Sequence, residues 1–314
     1  MQLKTFIFRF LKISFSLGLL IYILFKIDIG KTINVLKSVS PFLLIFPLLI
    51  MIINLFIRTY RWEIIMKKLG SNFSYSRLLK LNYIALFFSI FLPSRLGGDV
   101  VKGYYTTKEN KNLIKSSISI ISDRFFGVIA FIFLNLFSII IGYSIIPFWI
   151  VITVLLIDLA IVGVLVLSLN KNIVNKIKII KKIFNKFSIN EKINLIYKEI
   201  NTIKKDKIAL TTVIILSLII DFVFILLNYS YAIILNLDIS FIYFLIFIPI
   251  IMTITILPIA LNGLGLREYL IIVMFQIAGL SIEQAFALGI INRFLVLVHC
   301  AIGGILNLLE NIKN

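Results

Sequence analysis

The sequence predicts an all-α polytopic integral membrane protein with about 6–8 transmembrane helices, some of them broken or re-entrant, and three observations predict it. Hydrophobic residues fill 61% of the 314 positions and charged residues only 15%, with a mean hydropathy of +1.08, more apolar surface than a soluble core can hide. The apolar residues come in runs of the length needed to cross a bilayer. The Lys and Arg residues behind the net charge of +18 mostly flank those runs. A charge of that size placed there orients a membrane protein, so no nucleic-acid partner is expected.

Taken in chain order, long apolar candidates lie near 8–27, 41–65, 116–143, 147–169, 208–235 and 283–310. Regions 78–98 and 240–279 are apolar but interrupted by Pro, Gly and charge, which leaves a full crossing and a re-entrant hairpin both open. Lys4, Arg9 and Lys12 precede the first run as in a signal peptide. Lys26, Ile27 and Asp28 then stand where a small-residue cleavage site belongs, so the first helix is expected to be retained. With the N-terminus inside and 78–98 re-entrant, 25 of the 32 Lys and Arg fall on the cytoplasmic side and only Lys26, Lys31 and Lys37 outside. Both termini are therefore expected in the cytoplasm of a cell bounded by this membrane.

One domain is expected over residues 1–314, made of a first repeat at about 41–143, a basic segment at 170–207 and a second repeat at about 208–310. The segment 171–207 carries eleven Lys, with Ile173, Ile177, Ile180, Phe184 and Phe187 at helical spacing. It reads as an amphipathic helix on the anionic inner leaflet, or as a topology determinant with no further role.

The repeat rests on order and spacing. Leu92-Pro93 is followed by Arg95, Gly97, Gly98 and Asp99, then by Asp123-Arg124-Phe125. Leu257-Pro258 is followed by Gly263, Gly265, Arg267 and Glu268, then by Asn292-Arg293-Phe294. Asp99 to Arg124 and Glu268 to Arg293 are both 25 residues apart, and the two pairs are offset by 169. The charge count runs the helix after residue 116 outward and the one after 283 inward, so the copies are inverted. That architecture places cargo near the midplane of many transporters. Pro93, Gly97, Gly98, Pro258, Gly263 and Gly265 are the expected helix breaks, because Pro removes a backbone donor and Gly permits tight turns. Free helix N-termini at the breaks would also suit an anion.

The chain uses 24 Lys but only 8 Arg, yet Arg58, Arg61, Arg95, Arg124, Arg267 and Arg293 all sit beside or within the broken segments. A guanidinium donates through a planar fork that matches phosphate or carboxylate. Arg95, Asp99, Arg124, Arg267, Glu268 and Arg293 are the expected substrate-binding residues. A permanent structural ion pair in each repeat is the alternative. Asp158 and Asp221, inside apolar helices, are read either as proton-coupling carboxylates or as acids bonded across a helix interface. Trp62, between Arg61 and Glu63, is expected in the interfacial aromatic belt. His299 and Cys300, the sole His and Cys, exclude a His/Cys metal site, a Cys-His nucleophile and disulfides, and His299 reads as a packing residue. No metal or cofactor is expected.

Arg61-Trp62, the stretches 92–99 and 262–268, Asp123-Arg124-Phe125 and Asn292-Arg293 together resemble the flippase-like transmembrane region of the lysylphosphatidylglycerol synthase family, over nearly the whole chain. In its best-known members, this resemblance implies, the membrane region moves a modified phospholipid between leaflets while a soluble C-terminal domain makes that lipid. Here the last apolar helix ends near Asn314, so no synthase domain and no enzyme activity are expected. The family usually shows Pro-Arg-Gly-Glu at the first motif, whereas this chain has an extra Gly and Asp99. The second motif commonly has Pro-Gly, whereas Ile259 follows Pro258. The expected partners are therefore membrane lipids, as an anionic phospholipid or a lipid-linked head group, with a lipid-modifying enzyme as a further partner. A carrier of a small soluble anion and a non-transporting membrane partner of such an enzyme are the alternative functions.

Overall fold

A computed structural model describes residues 2–91, 97–169, 206–257, 259–260 and 263–311. Among them the chain is all-helical. Eleven α-helices follow in order: α1 (Gln2–Lys26), α2 (Ile29–Lys37), α3 (Ile45–Lys68) after a short 3-10 turn, α4 (Tyr75–Phe91), α5 (Gly97–Asn110), α6 (Leu113–Gly142), α7 (Phe148–Leu169), α8 (Lys207–Ile234), α9 (Phe241–Ile256), α10 (Leu266–Ile277) and α11 (Ile282–Asn311). Pro93, Arg95 and Pro258 and the proposed amphipathic segment up to residue 205 lie outside the described residues.

Among the described residues, four helices are long and apolar enough to cross a membrane: Pro41–Lys68, Leu113–Gly142, Lys207–Ile234 and Ile282–Glu310. A fifth arises if α1 and α2, bent by 87° at residues 27–28, form one broken span. Of the six long sequence candidates, 147–169 falls short of that length over its described apolar part, Phe148–Gly163, and the broken regions around 78–98 and 240–279 each pair one helix with another that doubles back. Arg77 near the start of α4 bonds Glu109 near the end of α5. The ring of Phe244 near the start of α9 lies 4.6 Å from that of Phe275 near the end of α10. Each pair is thus an antiparallel hairpin whose ends meet. At a rise of about 1.5 Å per residue, arms of 16 and 17 residues reach only about 25 Å.

The second arm of the first hairpin, α5, carries Asp99, Lys102, Lys108 and Glu109. Polar as it is, α5 packs along α4 and α6. Gly98 makes this approach feasible, since a Cβ there would sit 2.8 Å from the Ala85 carbonyl oxygen. Lys102 lies with its ammonium 4.8 Å from the centre of the Trp62 ring, a cation–π contact. Trp62 itself is buried with Met66, Leu78 and Leu81, and its indole N–H donates to Ser119 Oγ at 3.3 Å. The aromatic-belt reading of Trp62 is therefore corrected: a helix-end position in sequence becomes an interior position once the first hairpin folds over it.

Packing between helices follows a regular pattern. α3 lies on α8, α4 on α11, and α9 on α6. The first arm of each hairpin thus packs against the long helix that follows the other hairpin. Both contacts use glycine. A Cβ on Gly303 of α11 would fall 1.9 Å from the Tyr83 carbonyl oxygen of α4, and one on Gly142 of α6 would fall 2.5 Å from Ile246 of α9. The largest core is built mainly from α6 to α11 around Phe244, Phe247, Phe275 and Tyr231, with Ile23 of α1 and Met51 of α3 joining it. Large apolar side chains such as Phe25, Phe148, Leu159 and Ile305 are exposed on the outside, as a bilayer-facing surface requires.

Candidate functional site: a charged cavity and two repeated ion pairs

Three residues of α3, Asn54, Arg58 and Arg61, follow one another at intervals of four and three, which places them on one helix face. That face looks toward α6 and α8. The cavity between these helices has a volume of about 340 Å³ and is closed by α9 and by Asp99 of α5. Its charged part holds Arg58, Arg61, Asp99, Asp123, Arg124 and Asp221. The rest of its wall is apolar, with Phe131 and Leu134 from α6, Phe224 and Ile225 from α8, and Met252 and Ile256 from α9.

Arg61 is fixed inside this wall. Its Nε donates to Asp123 Oδ1 at 2.8 Å and its Nη1 to Ser217 Oγ at 2.8 Å, and the guanidinium fills the space left by Gly127. Arg61 is 5% exposed and Asp123 9%, so the pair crosses α3, α6 and α8 in a place of low dielectric. Asn54 adds a second tie by donating to the Ile220 carbonyl at 2.8 Å. Arg58, a turn before Arg61, is exposed to the cavity.

The two carboxylate–arginine pairs singled out by their spacing both form. Arg124 Nε bonds Asp99 Oδ2, and Arg293 Nε donates to Glu268 Oε1 at 2.8 Å. In each, the acid is the third residue of the helix restarting after a break, α5 or α10, and the arginine comes from the long helix behind it. The start of α10 is not a vacant anion site. At α10 the Gly265 N–H donates to Glu268 Oε2 at 2.8 Å, so Glu268 caps its own helix while holding Arg293. Gly265 has a φ of +76°, a conformation glycine reaches freely, and a Cβ there would lie 2.6 Å from the Ser16 carbonyl oxygen of α1.

The residue before each repeated arginine is also engaged alike. Asp123 accepts from Arg61 of α3, and Asn292 donates to the Tyr231 hydroxyl of α8 at 3.0 Å. The first is charged and the second neutral. The structure thus separates the expected binding residues into two groups. Asp99 and Arg124 line the cavity, whereas Glu268 and Arg293 form their pair elsewhere. Arg267 lies between, with its Nη2 3.5 Å from Asn228 Oδ1 and its guanidinium 6.0 Å from the Phe224 ring, whose residue lines the cavity wall. Gly97, Gly98, Gly263 and Gly265 stand at the helix restarts.

The two intramembrane acids also part company. Asp158 of α7 accepts from Asn135 Nδ2 with both oxygens, at 3.1 and 3.2 Å, and Asn135 also reaches Thr253. That network joins α6, α7 and α9. Asp221 faces the cavity, and its buried Oδ2 accepts no hydrogen bond from the described residues. His299 is packed with its ring 5.4 Å from that of Tyr83.

A second, outer groove lies between α5 and α6. It has a volume of about 670 Å³ and is lined by residues including Val100, Tyr104, Leu113 and Ile121, with Lys108 also in its wall. Asp99 and Arg124 belong to the walls of both groove and cavity. Sequence spacing pointed to this pair, but not to Arg58, Arg61 and Asp123 as a cavity set. The usable signal was the Asn54, Arg58, Arg61 face within an otherwise apolar helix, where buried charge demands a partner.

A search of the curated proteins finds no match, and a search of the solved structures finds none either. The sequence model for the lysylphosphatidylglycerol synthase TM region matches residues 9–304, nearly the entire chain, and the chain belongs to that family.

Proposed function

We propose that this protein takes the anionic head group of a membrane lipid, an anionic phospholipid or a lipid-linked glycan, into the charged cavity and passes it between leaflets while the acyl chains stay in the bilayer. The observation that carries this reading is the sharing of Asp99 and Arg124 between the cavity and the outer groove. A head-group phosphate could exchange Asp99 for itself as the partner of Arg124, with Arg58 and Arg61 close by, while an alkyl chain follows the apolar groove wall. Membership of a family named for lipid modification agrees with such a cargo. In this reading the protein resides in the plasma membrane with both termini in the cytoplasm, and its direct partners are lipids.

The reading includes inverted repeats, α3 to α6 and α8 to α11. Support comes from the reciprocal packing of α4 on α11 and α9 on α6, from the matched ion pairs, and from the matched bonds to Asp123 and Asn292. Two such units around α3 and α8 would let one hairpin loosen while the other stays closed, which is how repeats of this kind alternate access. A carrier of a small soluble anion is the second reading. The cavity's charge favours it as well, but a groove with exposed apolar walls does not.

Reconstituted vesicles containing head-group-labelled phosphatidylglycerol test the proposal. Wild-type protein should speed exchange of the label between leaflets, and Arg124→Gln should slow it about tenfold or more, the loss expected for a charge-assisted hydrogen bond. Equal rates for the two proteins would overturn it. Movement of entrapped labelled glycerol phosphate with no movement of lipid would favour the soluble-anion carrier.

A further inference from the structure

We propose that Asp221 is the proton-binding partner of the cargo: it takes up a proton as the anionic head group enters the cavity and gives it back when the head group leaves. This inference rests on the lipid reading above and adds a coupling ion to it.

Each of the other two acids in the cavity wall has a bonded cation, Arg61 for Asp123 and Arg124 for Asp99. Asp221 has none among the described residues, and its Oδ2 is sealed from solvent without a hydrogen-bond donor. The elements packed around α8 supply few groups that could answer its charge. From α3 come Arg58 and Arg61, the latter already engaged by Asp123 and Ser217. From α6 come Asp123 and Arg124, and from α5 Asp99, with Lys102 behind the wall on the Trp62 ring. From α9 come Ile248, Pro249, Met252 and Ile256, which do not titrate, and α11 contributes no residue to the wall.

Arg58 and Arg61 are thus the cations within electrostatic reach of Asp221, and they are also the ones a phosphate would claim. A phosphate among these arginines puts a second anion into the same enclosed space and withdraws the positive field that tolerates an ionised Asp221. Like charges in a place of low dielectric favour the protonated form of a carboxylic acid. The proton comes from water at the open side of the cavity and binds one carboxylate oxygen, and no other bond is made or broken. Release on the opposite side returns both cargo and proton, so a transmembrane proton gradient would drive the head group in one direction. Asp158 is a poorer candidate for this duty, since both its oxygens are held by Asn135 and it does not line the cavity.

The test is proton uptake by purified protein in weakly buffered detergent solution, read with a soluble pH dye as dihexanoyl phosphatidylglycerol is added, with binding followed in parallel by calorimetry. Above neutral pH, where an ionised Asp221 is available to protonate, wild type should take up as much as one proton per lipid bound, while Asp221→Asn should bind the lipid and take up almost none. Lipid binding without proton uptake in wild type, or equal uptake by both proteins, would overturn the assignment while leaving the lipid reading intact. Failure of wild type to bind the lipid would remove the lipid reading and this inference with it, while binding by wild type but not by Asp221→Asn would overturn the proton-site assignment alone.

Discussion

At the residue scale, the structure turns on which charges are held and which are available. Arg61 is held: two protein acceptors and a buried setting make it part of the scaffold joining α3, α6 and α8. Removing one partner of such a pair leaves the other charge buried and uncompensated, a loss of about 3–5 kcal/mol. Arg61→Ala should therefore lower thermal stability in detergent strongly, whereas Arg58→Ala, with no bonded acid to orphan, should leave the melting temperature nearly unchanged. Comparable losses for the two would show that Arg61 is not the scaffold residue described here. The sequence made the selection of arginine visible but could not rank the six, because bonding to Asp123 and Ser217 depends on contacts across 62 and 156 residues.

At the scale of elements, two hairpins set α4 against α5 and α9 against α10. Gly97, Gly98, Gly263 and Gly265 were legible in sequence near the helix restarts, since glycine permits tight turns. Less legible was α5, whose composition alone reads as loop; it becomes helix because α4 and α6 give its Gly98 and Tyr105 faces something to pack on, a case of tertiary context overriding composition. The same hairpin depends on Gly303, where α11 meets the backbone of α4. Gly303→Ala should cost about 1–3 kcal/mol or more by overpacking, measured as thermal unfolding in detergent. Gly18→Ala, with no other atom within 4 Å of the added Cβ, should be neutral or stabilise α1 by up to about 1 kcal/mol. Equal behaviour of the two variants would contradict the close approach of α4 and α11.

At the scale of the whole molecule, the equal spacing of two carboxylate–arginine pairs in sequence anticipated their contacts, and the bonding at Arg124 and Arg293 repeats down to the atom that donates. Asp123, before Arg124, is paired with a cation, whereas Asn292, before Arg293, meets a neutral phenol. The sequence marks the difference as Asp123 against Asn292, but not the partners, which come from α3 and α8 and sit about 60 residues before the residues they bond. The cavity combines charged and apolar walls and shares Asp99 and Arg124 with the outer groove. The central claim is that a lipid head group occupies that cavity. Photo-crosslinking with an anionic phospholipid carrying a diazirine on its head group, followed by peptide mapping, tests it most directly. The account predicts adducts on the facing segments of α3, α6 and α8 around Arg58, Arg124 and Phe224, reduced in Arg124→Gln; adducts confined to the outer apolar faces of α1 and α7 would contradict it.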